Sequence, residues 1–134
     1  MWSVESMTSA DHDSAASLDQ ARGTLDGAGA SALTRRPWQG PDQPPSDLDL
    51  VRFATWAARD PAATDPSVVA AGLGLLSSAR AELDQLEAGL LFAARGSGMT
   101  WQGIASALGL GSAQAAQQRL DRVLARSHRV VRDR

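Results

Sequence analysis

The sequence predicts an all-α protein: a long helix leading into a C-terminal helix-turn-helix, preceded by a disordered tail. Three observations carry this expectation. Apolar residues recur at the helical period from Asp47 onward. Capping residues stand ahead of each periodic stretch, namely Ser46 or Asp47, Asp65 before Pro66, Thr100, and Ser112. Pro61, Gly96, Gly98 and Gly109 stand just past the ends, where a helix stops cheaply. With 134 residues, 43% of them apolar, the chain has enough material for one core.

Residues 1–46 are rich in Ser, Ala, Gly, Asp and Pro and end in RRPWQGPDQPPS, whose prolines forbid a continuous helix. They are expected to form a disordered acidic tail, set apart from a helical domain over 47–134. A short helical stretch from Ala15 to Leu25 carries too few apolar side chains to offset its ordering entropy without a partner. Arg35, Arg36 and Trp38 stand together in this tail, either as a short linear motif or as a stray aromatic beside two charges.

The first domain helix is expected near 47–59. Leu48, Val51, Thr55 and Ala58 share one side, and Leu50, Phe53, Ala54 and Ala57 fill the adjoining one. Asp49, Arg52, Trp56 and Arg59 remain as a narrow outer stripe. So broad an apolar surface calls for two neighbours. A second helix is expected over 66–95, either continuous or kinked near Gly72 and Gly74. Along it Val69, Leu76, Leu83 and Leu90 recur at heptad spacing, with Gly72, Ala79, Leu86 and Ala93 on the companion positions. This seam suits either the preceding helix or a second copy of the chain.

Two helices close the chain, near 100–108 and 112–129. Thr100 caps the first, whose apolar face is Trp101, Ile104, Ala105 and Leu108. Gly109 is the turn residue able to take a positive φ, Leu110 points back to the core, and Ser112 caps the last helix. There Ala116, Leu120, Val123 and Leu124 define a packing face, while Arg119, Arg122, Arg126 and Arg129 form a second stripe about 120° away. Two faces imply two partners. The arginines suit phosphates, and Gln114 and Gln118, with Ser112 nearby, suit base edges in a major groove. Double-stranded DNA is therefore the expected partner, through Ser112, Gln114, Gln118, Arg119, Arg122, Arg126 and Arg129.

From about Ala81 to Val123 the chain resembles small actinobacterial helix-turn-helix proteins, some of them assigned as transcriptional regulators of a small heat-shock protein. Their W-x-x-I/L-A-x-x-L-G-V segment corresponds here to Trp101, Ile104, Ala105, Leu108, Gly109 and Leu110. Their S-R-Q-A-A-x-x-R helix corresponds to Ser112, Gln114, Ala115, Ala116 and Arg119, with Ala113 in place of the first arginine. The segment is also similar, more weakly, to the fourth conserved region of sigma factors. Both resemblances imply DNA binding in transcriptional regulation.

Charge agrees with that expectation locally. Residues 1–50 hold eight acids and three arginines, and residues 100–134 hold six arginines and two acids, so a net charge of −2 conceals a basic end. An acidic tail folded over the arginine stripe would compete with DNA. All 13 basic residues are arginine, which fits a high-GC genome. The chain has no cysteine, so no disulfide or thiolate metal site is expected. His12 and His128 fit no triad or ligand spacing, which predicts no catalysis, no metal and no cofactor. No basic and apolar leader opens the chain, and no apolar run approaches bilayer length. The expected address is the cytoplasm, at the nucleoid. Since one such module covers only about 600–1,000 Å² of protein surface, a homodimer or another regulatory protein is expected beside it. The alternative is a protein-interaction adaptor or dimerisation module, binding a sigma factor or sister regulator through the leucine seam.

Overall fold

A computed structural model of the chain describes residues 4–37 and 39–132, with side-chain surroundings over 9–37 and 39–126. Among these residues the regular structure is all helical, without a strand. The α-helices are α1 (Val4–Gly27), α2 (Asp47–Ala57), α3 (Pro66–Gly74), α4 (Leu76–Gly96), α5 (Trp101–Leu108) and α6 (Ala113–Arg132). Short 3-10 turns at Ala30–Ala32 and Pro61–Ala63 precede α2 and α3. No helix among the described residues is long and apolar enough to cross a membrane. The chain divides into two compact units, Met1–Arg80 and Ala81–Arg134, with the division falling inside α4.

The first unit differs from the tail expected over residues 1–46. Leu18, Ala21 and Leu25, at spacings of three and four, line one side of α1 and join Ala30 in a core with Leu50, Phe53 and Ala54 of α2 and Val68 and Ala71 of α3. Leu75, just past α3, completes it; Leu25 and Leu75 expose no surface. Enclosing a leucine is worth about 1.5–3 kcal/mol. The partner that α1 needs to offset its ordering entropy is thus the next part of its own chain. The boundary expected at residue 47 is likewise displaced, because α1, α2 and α3 share one cluster.

A polar tie reinforces this core. Arg22 lies part-buried on α1, and its Nε and Nη2 donate to the two carboxylate oxygens of Asp47 at 2.8 and 2.9 Å. The Ser78 hydroxyl donates to the same carboxylate, and Arg22 Nη1 reaches Asp19 at 3.0 Å. A forked guanidinium on a carboxylate fixes both direction and distance. The hydrogen bond to Asp47 is the main cause of an Arg22 pKa raised above its already high ordinary value. The helix starts are capped as their sequences suggest: Ser46 accepts from Asp49 N at 3.2 Å and Asp65 from Ser67 N at 2.9 Å. The backbone and hydroxyl hydrogen bonds from Ser67 hold the Asp65 carboxyl below the usual carboxylate range.

Helices α2 and α3 approach closely at one point. A Cβ on Gly72 would stand 2.7 Å from that of Ala54, a distance that real side chains do not reach, so this position requires glycine. Of the two forms expected for the 66–95 helix, the one broken near Gly72 and Gly74 is observed. Its first part ends at Gly74, and Leu75 turns into the core with its N–H on Gly72 O at 3.2 Å before α4 begins. The heptad seam is divided accordingly. Of its early positions Gly72 and Ala79 are buried, Leu76 is half-buried and Val69 is exposed, whereas Leu83, Leu86, Leu90 and Ala93 are all exposed.

In the second unit Leu91 of α4, Ile104 and Ala105 of α5, and Ala116 of α6 form the core, flanked by Ala94, Trp101, Leu110 and Leu120. Both connections close by the same device. After α4, Gly98 at φ 91° donates to Arg95 O at 3.1 Å while Met99 N donates to Ala94 O at 3.0 Å. After α5, Gly109 at φ 72° donates to Ser106 O at 3.2 Å while Leu110 N donates to Ala105 O at 2.8 Å. This paired capping satisfies carbonyls that a helix end leaves open, and the positive φ is what glycine supplies.

Candidate nucleic-acid interface

The geometry of α6 is set from its N-terminal end. Ser112 O accepts from Ala116 N at 3.3 Å and Ser112 Oγ from Ala115 N at 3.1 Å, so the side chain expected near bases is occupied as the helix cap. Thr100 caps α5 in the same way, accepting from Gly103 N at 3.0 Å. Ala105 and Ala116 expose no surface, and their small size lets α5 and α6 pack closely. Val123 is fully buried and Leu120 and Leu124 are half-buried, which matches the packing face read from the sequence. Leu108, expected in the core, is 39% exposed instead, because the turn at Gly109 ends α5 with that side chain at its rim.

Arg95 secures the entry to this helix pair. Its Nη1 donates to Met99 O at 2.8 Å, and its guanidinium lies 4.9 Å from the centre of the Trp101 ring. The contact is a cation over an aromatic face, with the indole half-buried beneath it.

The arginine stripe resolves into two columns. At 100° per residue, Arg119 and Arg126 lie nearest the packing face, while Arg122 and Arg129 lie about 60° further out, next to Gln118 and Gln114. The inner column meets α4. Arg119 Nε stands 2.7 Å from Glu87 Oε1, and Arg126 Nε stands 3.3 Å from Asp84 Oδ2. Despite its short distance the Arg119 contact is not directed as a hydrogen bond, and Nε and Oε1 are shielded from solvent without another partner. It is a charge contact with poor angular geometry.

Four outward guanidinium groups were expected, and this expectation needs correction at two of them. Arg119 and Arg126 are each engaged by an acid within the chain, although their side chains remain 40% and 49% exposed. Arg122, Gln114 and Gln118 are exposed, and Arg122 makes no ion pair among the described residues. The Arg129 and His128 side chains and Trp38 lie outside the described residues. Sequence reasoning missed Asp84 and Glu87. Their signal was the spacing Asp84, Glu87, Leu91, which places both acids on the buried side of α4 beside a core leucine. That series was overshadowed by the exposed Leu83, Leu86, Leu90 series.

No protein-family model, curated protein or solved structure matches this chain.

Proposed function

We propose that the protein binds double-stranded DNA in transcriptional regulation, with α5 and α6 acting as a helix-turn-helix and α6 entering the major groove. The observation that carries this reading is the outer side of α6, where Gln114, Gln118 and Arg122 face solvent in one row behind a tightly capped four-residue turn. Glutamine matches the donor and acceptor edge of adenine, and arginine matches phosphate or guanine. On this reading Arg122 and Arg129 meet the backbone first. Arg119 and Arg126 follow by exchanging their carboxylates for phosphates. That exchange replaces contacts without full hydrogen-bond alignment, in which the arginine side chains are 40% and 49% exposed, by charge-assisted phosphate bonds, which are among the stronger polar contacts.

The resemblance to actinobacterial regulators points the same way, as does the local excess of arginine. A cytoplasmic, nucleoid-associated role follows from the proposal. The competing reading, an adaptor for a sigma factor or sister regulator, draws on the exposed leucines of α4.

Fluorescence anisotropy on duplex DNA across a salt series tests the proposal. Two neutralised phosphates give a log-log slope of about −1.8 and four give about −3.6. Arg122→Glu should abolish binding. Absence of binding by the native chain at low salt overturns the proposal.

A further inference from the structure

The outer side of α2 and the segment before it line a cavity of about 510 Å³ within the first unit. That volume is ordinary for a small-molecule site. Asp49, Arg52, Phe53 and Trp56, at spacings of three, one and three, share this side of the helix, and Gly29 and Arg36 add to the lining from the preceding segment. We propose that the cavity binds a planar aromatic monocarboxylate.

An aromatic wall selects the flat ring. Phe53 is buried and Trp56 is 60% exposed, their ring centres 6.0 Å apart with planes tilted by 41°. Arg59, which does not line the cavity, lies 4.2 Å from the centre of the Trp56 ring and donates to Trp56 O at 2.9 Å. The indole is thus anchored from outside, and a ring can stack in the cavity without displacing a core side chain. Gly29 keeps the site open. It stands at φ 124°, and a Cβ there would lie 3.6 Å from Phe53 Cζ, against the ring that a ligand would meet.

Charge selects the single carboxylate. Arg35 Nη2 donates to Gln39 O and Gln39 Nε2 to Pro44 O, each at 3.2 Å, so the segment carrying Arg36 is held by its own hydrogen bonds. The guanidinium groups of Arg36 and Arg52 have no ion pair or hydrogen bond among the described residues. Asp49, half-buried, is the one acid among the described residues of the lining. Two cations against one anion leave one positive charge. A ring carboxylate matches it, with a guanidinium as its charge-assisted donor, whereas a phosphate monoester brings a charge nearer two.

Isothermal titration calorimetry of the full chain with naphthoate and with naphthamide, its uncharged counterpart, is the test. The acid should bind with a Kd on the order of 100 µM. The amide should bind about tenfold more weakly, the factor that one charge-assisted hydrogen bond supplies. Arg36→Gln and Arg52→Gln should each weaken the acid by about the same factor, and Trp56→Ala by a similar one. Asp49→Asn should tighten it several-fold, a gain that mere damage to the fold would not produce. All four positions are exposed or half-buried, so the helical circular dichroism should stay native. No binding of the acid at about 1 mM, equal binding of the amide, or an affinity indifferent to both Arg52→Gln and Trp56→Ala overturns the inference. Arg122→Gln in the second unit should change nothing, and a loss there would move the site to α6 and overturn the inference as well. No DNA enters this assay, so its failure leaves the proposed function standing, and a chain that binds naphthoate but not DNA overturns the proposed function alone.

Discussion

Arg22 and Arg119 both face a carboxylate across a helix pair, yet the two contacts are built differently. Arg22 grips both oxygens of Asp47 with directed hydrogen bonds at 2.8 and 2.9 Å, and Ser78 adds a third donor. Arg119 approaches Glu87 to 2.7 Å with one nitrogen and without hydrogen-bond alignment. Similar distances therefore conceal different capacities. The first arrangement locks α1 onto α2, because its forked hydrogen bonds fix direction as well as distance. The second holds a charge in place at little gain and is easily surrendered to a better acceptor such as phosphate.

The largest expected effect comes from breaking the locked pair. Asp47→Ala should destabilise the first unit by about 2–3 kcal/mol, read from urea unfolding, since hydrogen bonds to a charged group are worth about 1.5–3 kcal/mol each and part of that loss is softened by solvent around Arg22. Gly72→Ala probes the packing beside it. The added methyl collides with Ala54, and overpacking of this kind costs about 1–3 kcal/mol, so Tm should fall in the same unit. In the second unit Gly109→Ala meets no steric obstacle and suffers only the backbone penalty of a positive φ, about 1–2 kcal/mol.

The easily surrendered pairs should behave oppositely. Glu87→Gln combined with Asp84→Asn should change stability by no more than about 1 kcal/mol. The same double variant should bind DNA several-fold more tightly at low salt, with a slope moving from about −1.8 toward −3.6. An unchanged slope would mean that these acids do not compete with phosphate. The smallest effect concerns Asp65, whose depressed pKa contributes stability above the ordinary carboxylate value near 3.9 and loses it as pH falls through the lower folded value. The Tm difference between native chain and Asp65→Ala should accordingly be present at pH 7 and vanish in acid.

Legibility in the sequence followed distance along the chain. Helix starts at Ser46, Asp65, Thr100 and Ser112, the turn at Gly109 and the packing face through Ala116 and Val123 are local signals, and each was readable. The partner of α1 was not, because an apolar stripe says that a helix wants burial without saying what will bury it. Gly72 and Gly74 hinted at a break, but the burial of Leu75 among side chains of α1 and α2 is a long-range contact that no local pattern encodes. The pairing of Arg119 with Glu87 joins helices separated by a turn and another helix, and spacing on α6 alone reads as a free stripe.

The perch of Arg95 on Trp101 gives the second unit an optical handle. An indole under a positive charge emits differently from one left uncovered, and Trp101 opens α5 at its connection from α4, packed against the core of the second unit. With the tryptophans at positions 2, 38 and 56 replaced by phenylalanine, its emission would register any event that lifts the guanidinium, without a dye attached.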